Sequence, residues 1–271
     1  MDSPRRFARV ALMSAFAAAG AAAVRAAAPA STVIADIDLA KAFGARSAWR
    51  LVVSQGPPID DTFGSTGDKV PGPVRLCLRP GASAPCDPAL ASDTRAESTD
   101  VLFSEPHYLD AARVLRPRGP AERPLLWVQT GSLHSGDGDQ AVLTQVIAYQ
   151  RGSDRFLLVY DHLTGRNNNQ ETRYVDAGPL KGDIVSVEPT RDAPFAFCVT
   201  VNALTPAYAY AQVLHYRSAT RYADGNPLAV IDSEMPNIQQ RLGLWRSGSP
   251  PPLPASSCPK PRLIRTELWC G

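Results

Sequence analysis

The strongest constraint on this chain is its alternation. About twelve short runs read as strand candidates, many of them switching between apolar and polar residues with a period of two: 48–54, 73–79, 100–104, 112–116, 124–130, 141–150, 154–162, 170–176, 182–188, 195–202, 208–218 and 262–269. That period puts alternate side chains on opposite faces of an extended chain, so each run reads as a half-buried strand. The 25 prolines and 19 glycines fall largely between the runs, where they favour turns and leave little room for long helices. Many short strands joined by turns predict an all-β fold, whether an antiparallel sandwich, a barrel or an irregular propeller-like array. The turn "QRGSDR", with Gly152-Ser153 at its tip, predicts a hairpin over 141–162.

Alternation also predicts faces. Leu143, Ile147 and Tyr149 should share one side of their strand, and Phe195, Phe197, Val199 and Val201 one side of theirs. Tyr208, Tyr210, Leu214 and Tyr216 form an aromatic stripe, expected to pack in the core rather than to serve as a carbohydrate-stacking platform. Two segments read as short helices, 34–43 and, near the C-terminus, 232–245. In the latter Asp232 or Ser233 can cap, Pro236 fits a first turn, and Ile238, Leu242 and Trp245 fall on one face.

The first residues, "MDSPRRFARVALMSAFAAAGAAAVRAAAPA", place a basic segment before a small-residue apolar run and an A-x-A site. This is the pattern of a secretory signal peptide, expected over 1–28, and the run is too short for a membrane span. Residues 29–271 are expected to form a single exported domain, with 29–120 more sparsely patterned than the rest. Residues 1–28 hold four arginines and one aspartate, so the net charge falls from +2 to about −1 without them. Such a balance calls for neither nucleic acid nor a membrane surface as partner. A periplasmic or secreted location follows.

Cysteine usage agrees with export. Cys77 and Cys86 bracket a Pro/Gly loop, and Cys258 and Cys270 bracket the C-terminal segment, so these two pairs are the expected disulfides, although sequence does not fix connectivity. Cys198, inside "FAFCVTV", reads as a small buried hydrophobe.

Two polar stretches are candidates for function. In "GSLHSGDGDQ", Asp137 and Asp139 are spaced as alternate ligands of a calcium loop, but Ala141 stands where another oxygen donor should follow. A calcium ion there would need further oxygens from 223–227 or 231–234; no other cofactor is called for. The second stretch, 160–189, holds the densest polar cluster. His162, Arg166, Asn168, Gln170 and Arg173, with Asp161 and Glu171, would crowd one loop and its flanks as a binding surface. No nucleophile-elbow, zinc or phosphate-loop motif is present. The four histidines are scattered singly. Catalysis would have to come from carboxylates among Asp161, Glu171, Asp183 and Glu188, paired as in a glycan hydrolase.

Residues 124–188, through "PLLWVQTGS", "SGDGDQ" and "TQVIAYQRGSDRFLLVYDH", resemble bacterial exported β-repeat proteins with FG-GAP-like blades. The resemblance implies a propeller-like arrangement, a calcium-loop character for the acidic turn, and a role like that of periplasmic inhibitors or immunity proteins against lysozyme-like toxins. The expectation is therefore a non-catalytic binding protein of the bacterial cell envelope with a protein partner there. The alternatives are a secreted hydrolase acting on glycan and a purely structural envelope component.

Overall fold

The computed structural model describes residues 31–61, 67–87, 105–117, 123–134, 140–167, 169–219, 225–254 and 257–271. The expected signal peptide and the run 100–104 lie outside the described residues. The protein is mostly β, built from antiparallel sheets that form no closed barrel among the described residues, and carries one short helix near its C-terminus.

Three sheets carry the architecture. The first is formed by β1 (Thr32–Asp38), β2 (Arg50–Gln55) and β5 (Val74–Arg79), in the order β1-β2-β5. A short helix α1 (Ala40–Phe43) joins its first two strands, and a small hairpin of β3 (Ile59–Asp60) and β4 (Lys69–Val70) lies between β2 and β5. The second sheet is a meander of β6 (Tyr108–Leu115), β7 (Leu125–Gly131), β8 (Ala141–Gln150) and β9 (Arg155–Gly165). The third is a meander of β10 (Glu171–Tyr174), β11 (Ile184–Pro189), β12 (Phe197–Leu204) and β13 (Tyr210–Ser218). Helix α2 (Val230–Arg241) follows, and then a hairpin of β14 (Pro261–Ile264) and β15 (Glu267–Cys270).

The sheets stack face to face, with the second in the middle. Leu126, Val128, Ile147 and Tyr149 pack against Leu51, Val53 and Leu78 of the first sheet. Their neighbours Leu125, Trp127, Val146 and Ala148 pack on the opposite side against Tyr174, Ile184 and Leu204 of the third. A strand buried on both faces needs apolar residues at consecutive positions, which is why "LLWV" does not alternate. The outer face of the third sheet, through Val187, Val199 and Val201, receives Ile231 and Ile238 of α2. At about 25 cal/mol per Å² of apolar surface, these three interfaces are the main favourable contribution to folding.

Most expected strands are present, and 141–150 and 155–165 form the expected hairpin, with Asp154 left-handed at φ 50° in its turn. The exceptions have local causes. Residues 32–38 are a strand paired with β2, so only 40–43 of the segment 34–43 is helical. The run 262–269 is a hairpin, because Arg265 takes a left-handed φ of 60° and reverses the chain. Helix α2 starts at Val230, capped by neither Asp232 nor Ser233, and Pro236 sits inside it rather than in its first turn. Ile238 and Leu242 do share the core face, while Trp245 is buried beyond the helix end, its indole donating to the Pro250 carbonyl at 2.9 Å.

Two bulges re-aim side chains. Between β8 and β9 the register steps from Val146↔Tyr160 to Ile147↔Leu158, which leaves Val159 as an extra residue on β9. Between β12 and β13 it steps from Val201↔Leu214 to Asn202↔Gln212, with Val213 extra and half exposed. The second bulge divides the expected aromatic stripe: Leu214 and Tyr216 face α2, whereas Tyr208 and Tyr210 face the second sheet. Phe197, Val199 and Val201 share a face as expected, but Phe195 precedes the strand and is 37% exposed.

Both cysteine pairs are joined, Cys77–Cys86 with Cα atoms 4.9 Å apart and Cys258–Cys270 with Cα atoms 5.5 Å apart. Among the described residues no helix is long and apolar enough to cross a membrane.

Candidate functional site

Strand β9 is the edge of the second sheet and stops partway across the third, leaving part of the third sheet's inner face uncovered. The result is a cleft of about 620 Å³. Its wall is the β9 edge from Leu158 to His162; its floor is Ser186 of β11, Thr200 and Asn202 of β12, and Tyr210, Gln212 and His215 of β13. Strand register explains the polar floor. Thr172, Ser186, Thr200 and His215 lie opposite one another in a single row across four strands, and Ile184, Asn202 and Gln212 form the adjacent row. The bulge at Val213 keeps Gln212 and His215 on the same side of their strand, three positions apart.

The cleft residues are partly engaged. His162 Nε2 lies 2.5 Å from Glu188 Oε1, which ties the second sheet to the third across the cleft. His215 Nδ1 lies 2.9 Å from Thr200 Oγ1. The Tyr160 and Tyr210 rings meet edge to face at 5.7 Å, and the Tyr210 hydroxyl donates to the Gly182 carbonyl at 2.9 Å. Burial raises the Tyr160 phenol above its ordinary pKa, and the Glu188 charge adds to the effect, so Tyr160 stays protonated. No Lys or Arg lines the cleft among the described residues; Arg217, further along β13, is paired with Asp192 at 3.1 Å.

The residues expected to form one binding surface are divided among three environments. Among the described ones, His162 and its neighbour Asp161 line the cleft. Arg166 braces the adjoining loops, with Nη1 at 2.6 Å from the mostly buried Asp110 and 3.3 Å from Gln140 Oε1, while Gln140 donates to the Ser132 carbonyl. Ser132 and Gln140 are therefore held beside Arg166. Gln170 lies across Gly165, where a Cβ would sit 2.1 Å from its amide carbon, so a larger residue at 165 would displace the Gln170 side chain. Arg173 is on the far side of the sheet, between Glu171 at 2.6 Å and Asp232 at 2.7 Å. Burial opposes its charge, but the two carboxylates outweigh that and hold the guanidinium pKa above its ordinary value. Burial also raises the Glu171 pKa. Asn168, Asp137 and Asp139 lie outside the described residues.

The carboxylates proposed as a catalytic set are also separated. Glu171 pairs in register with Val187 and shares its α2-facing side, whereas Glu188 faces the cleft. Asp183 sits in the turn before β11, its amide bonded to the Leu180 carbonyl. Asp161 borders the cleft from β9. Of the oxygens offered to a calcium ion by 231–234, Asp232 is held by Arg173, and Glu234 accepts from Tyr216 Oη and Ser218 Oγ, both at 2.6 Å. Among the described residues no three His, Cys, Asp or Glu side chains converge as a metal site.

What sequence reading missed is the floor: Thr200, Asn202, Gln212 and His215. The available signal was their alternation with Val199, Val201, Leu214 and Tyr216, which marks a face of the sheet that is not core. No family model matches this chain, and no curated protein or solved structure is significantly similar to it.

Proposed function

We propose that this is an exported, non-catalytic binding protein of the bacterial cell envelope, whose recognition surface is the cleft beside β9 together with the adjoining Arg166 and Gln170. The observation that carries the reading is the uncovered polar floor on a sheet whose other face is sealed by α2. Polar side chains directed at a concave surface of this size suit ligand capture. The two disulfides and the N-terminal pattern support export. Inhibition of, or immunity to, a wall-degrading enzyme is the narrower form of this reading and rests on the sequence resemblance.

The rival, a glycan hydrolase, retains one observation: Asp161 lies on the cleft edge and Glu188 is paired with its neighbour His162. Glu188 is engaged by His162, and Glu171 faces the other way.

The test is a fractionation of bacteria expressing the tagged full chain, with a photo-cross-linking residue at Gln212 or, as control, at the exposed Val33 of the first sheet. The expected result is a processed, oxidised protein outside the cytoplasm that cross-links to an envelope component from position 212 and not from 33. Retention as an unprocessed cytoplasmic chain, or equal cross-linking from both positions, contradicts the reading. Release of sugar from wall glycan by the purified protein would favour the hydrolase.

A further inference from the structure

We infer that the cleft binds a neutral saccharide, a conclusion that rests on the cleft being the recognition site. Charge complementarity narrows the ligand first. The cleft is lined by His162, which is paired with Glu188, and by the β9 edge at Asp161, whose side chain the register sets on the opposite face of the strand; no Lys or Arg lines it among the described residues. A phosphate, sulfate or carboxylate ligand would find no Lys or Arg among the described lining residues to receive its charge.

The floor narrows it further. Asn202 and Gln212 present amides, and Thr200 and His215, 2.9 Å apart, a hydroxyl and an imidazole, so donors and acceptors lie side by side. A sugar hydroxyl both donates and accepts, and a row of them matches such a floor without any formal charge. The fold adds the two rows of residues in register, spaced by the strand pairing, as a regular grid on which successive ring hydroxyls can be read.

The third requirement of a pyranose is an apolar surface for its C–H face. Tyr160 and Tyr210, partly buried and in edge-to-face contact, are the aromatic residues in the cleft's lining and offer that surface. The Val213 bulge matters here, because it turns Tyr210 and Gln212 to the cleft side while Leu214 and Tyr216 stay in the core. The volume of about 620 Å³ takes a short oligosaccharide and falls within the usual range of small-ligand sites.

The test uses mature protein, residues 29–271, on an array of neutral oligosaccharides, anionic oligosaccharides and linear peptides, followed by calorimetric titration of whatever binds. The comparison variants are Gln212→Ala and His215→Ala, both at exposed side chains that can be removed without opening the core. The expected result is binding of neutral oligosaccharides, weakened about tenfold or more in the double variant, with an unchanged melting temperature. Binding of anionic oligosaccharides alone overturns the inference. Peptide binding that the double variant abolishes overturns the saccharide assignment and leaves the cleft as recognition site. Binding that the double variant leaves intact, or no binding at all, removes both.

Discussion

The two faces of the third sheet use polar residues in opposite ways. On the face toward α2, every charge described is locked: Arg173 bridges Glu171 and Asp232, Glu234 accepts from Tyr216 and Ser218, and Arg241 lies 4.2 Å over the Tyr216 ring. On the other face, beyond the end of β9, Asn202, Gln212 and His215 line a cleft open to solvent. Four strands build both faces, so neither composition nor strand count distinguishes them. Coverage does. Helix α2 closes one face, and a buried charge is tolerated there only when paired and hydrogen-bonded. Where the second sheet ends, polar side chains keep their hydration and remain available to a ligand.

The comparison can be broken most severely at Arg173. Its replacement by Met should destabilise the protein by about 3 kcal/mol, measured by urea unfolding, because Asp232, 3% exposed, is left as a buried charge without its cation. The value sits at the low end of the range for buried pairs because a quarter of the Arg173 side chain reaches solvent. Glu234→Ala should cost about 2–3 kcal/mol in the same assay, since the hydroxyls of Tyr216 and Ser218 lose their acceptor in a buried setting.

A third change sharpens the contrast by testing a polar clasp elsewhere in the fold. Asp154, in the β8–β9 turn, accepts from Ser47 Oγ at 2.5 Å, Tyr149 Oη at 2.6 Å and Trp49 Nε1 at 3.2 Å. The Ser47 bond first, and the Tyr149 bond next, hold its carboxyl at about 2, below the usual carboxylate value. Asp154→Ala should cost about 2 kcal/mol at pH 7. The folded pKa lies below the unfolded value of about 3.9, so the stabilisation is present above about pH 4 and is lost as pH falls through 2. The gap in melting temperature between wild type and Asp154→Asn should therefore narrow over that interval. The smallest effect belongs to the cleft, where removing Gln212 and His215 should change stability by no more than about 0.5 kcal/mol.

Much of the fold was legible because strands buried on known faces leave a simple pattern. The run 141–150 is β8 from end to end, and the two disulfides follow from loops that bring their cysteines close. The bulges were not legible. Val159 and Val213 are ordinary strand residues, and only pairing with a neighbour reveals that each is one too many. The hairpin at 261–270 was hidden because Arg265 makes its turn without Gly or Asn. For the site, sequence pointed to the polar stretch around the end of β9 and named His162, which lines the cleft. Arg166, Gln170 and Arg173 have the composition of a binding surface, yet they brace loops or hold a buried ion network. The cleft floor escaped notice because it is created by where one sheet ends over another, a relation between strands more than thirty residues apart.

The central claim is that the cleft's polar residues serve recognition and not folding. Urea unfolding of the Gln212→Ala/His215→Ala variant beside wild type tests it most directly. The account predicts midpoints and slopes that coincide within about 0.5 kcal/mol in unfolding free energy. A loss of about 2 kcal/mol or more would place these residues in the structural framework, with the Arg173 network, and contradict it.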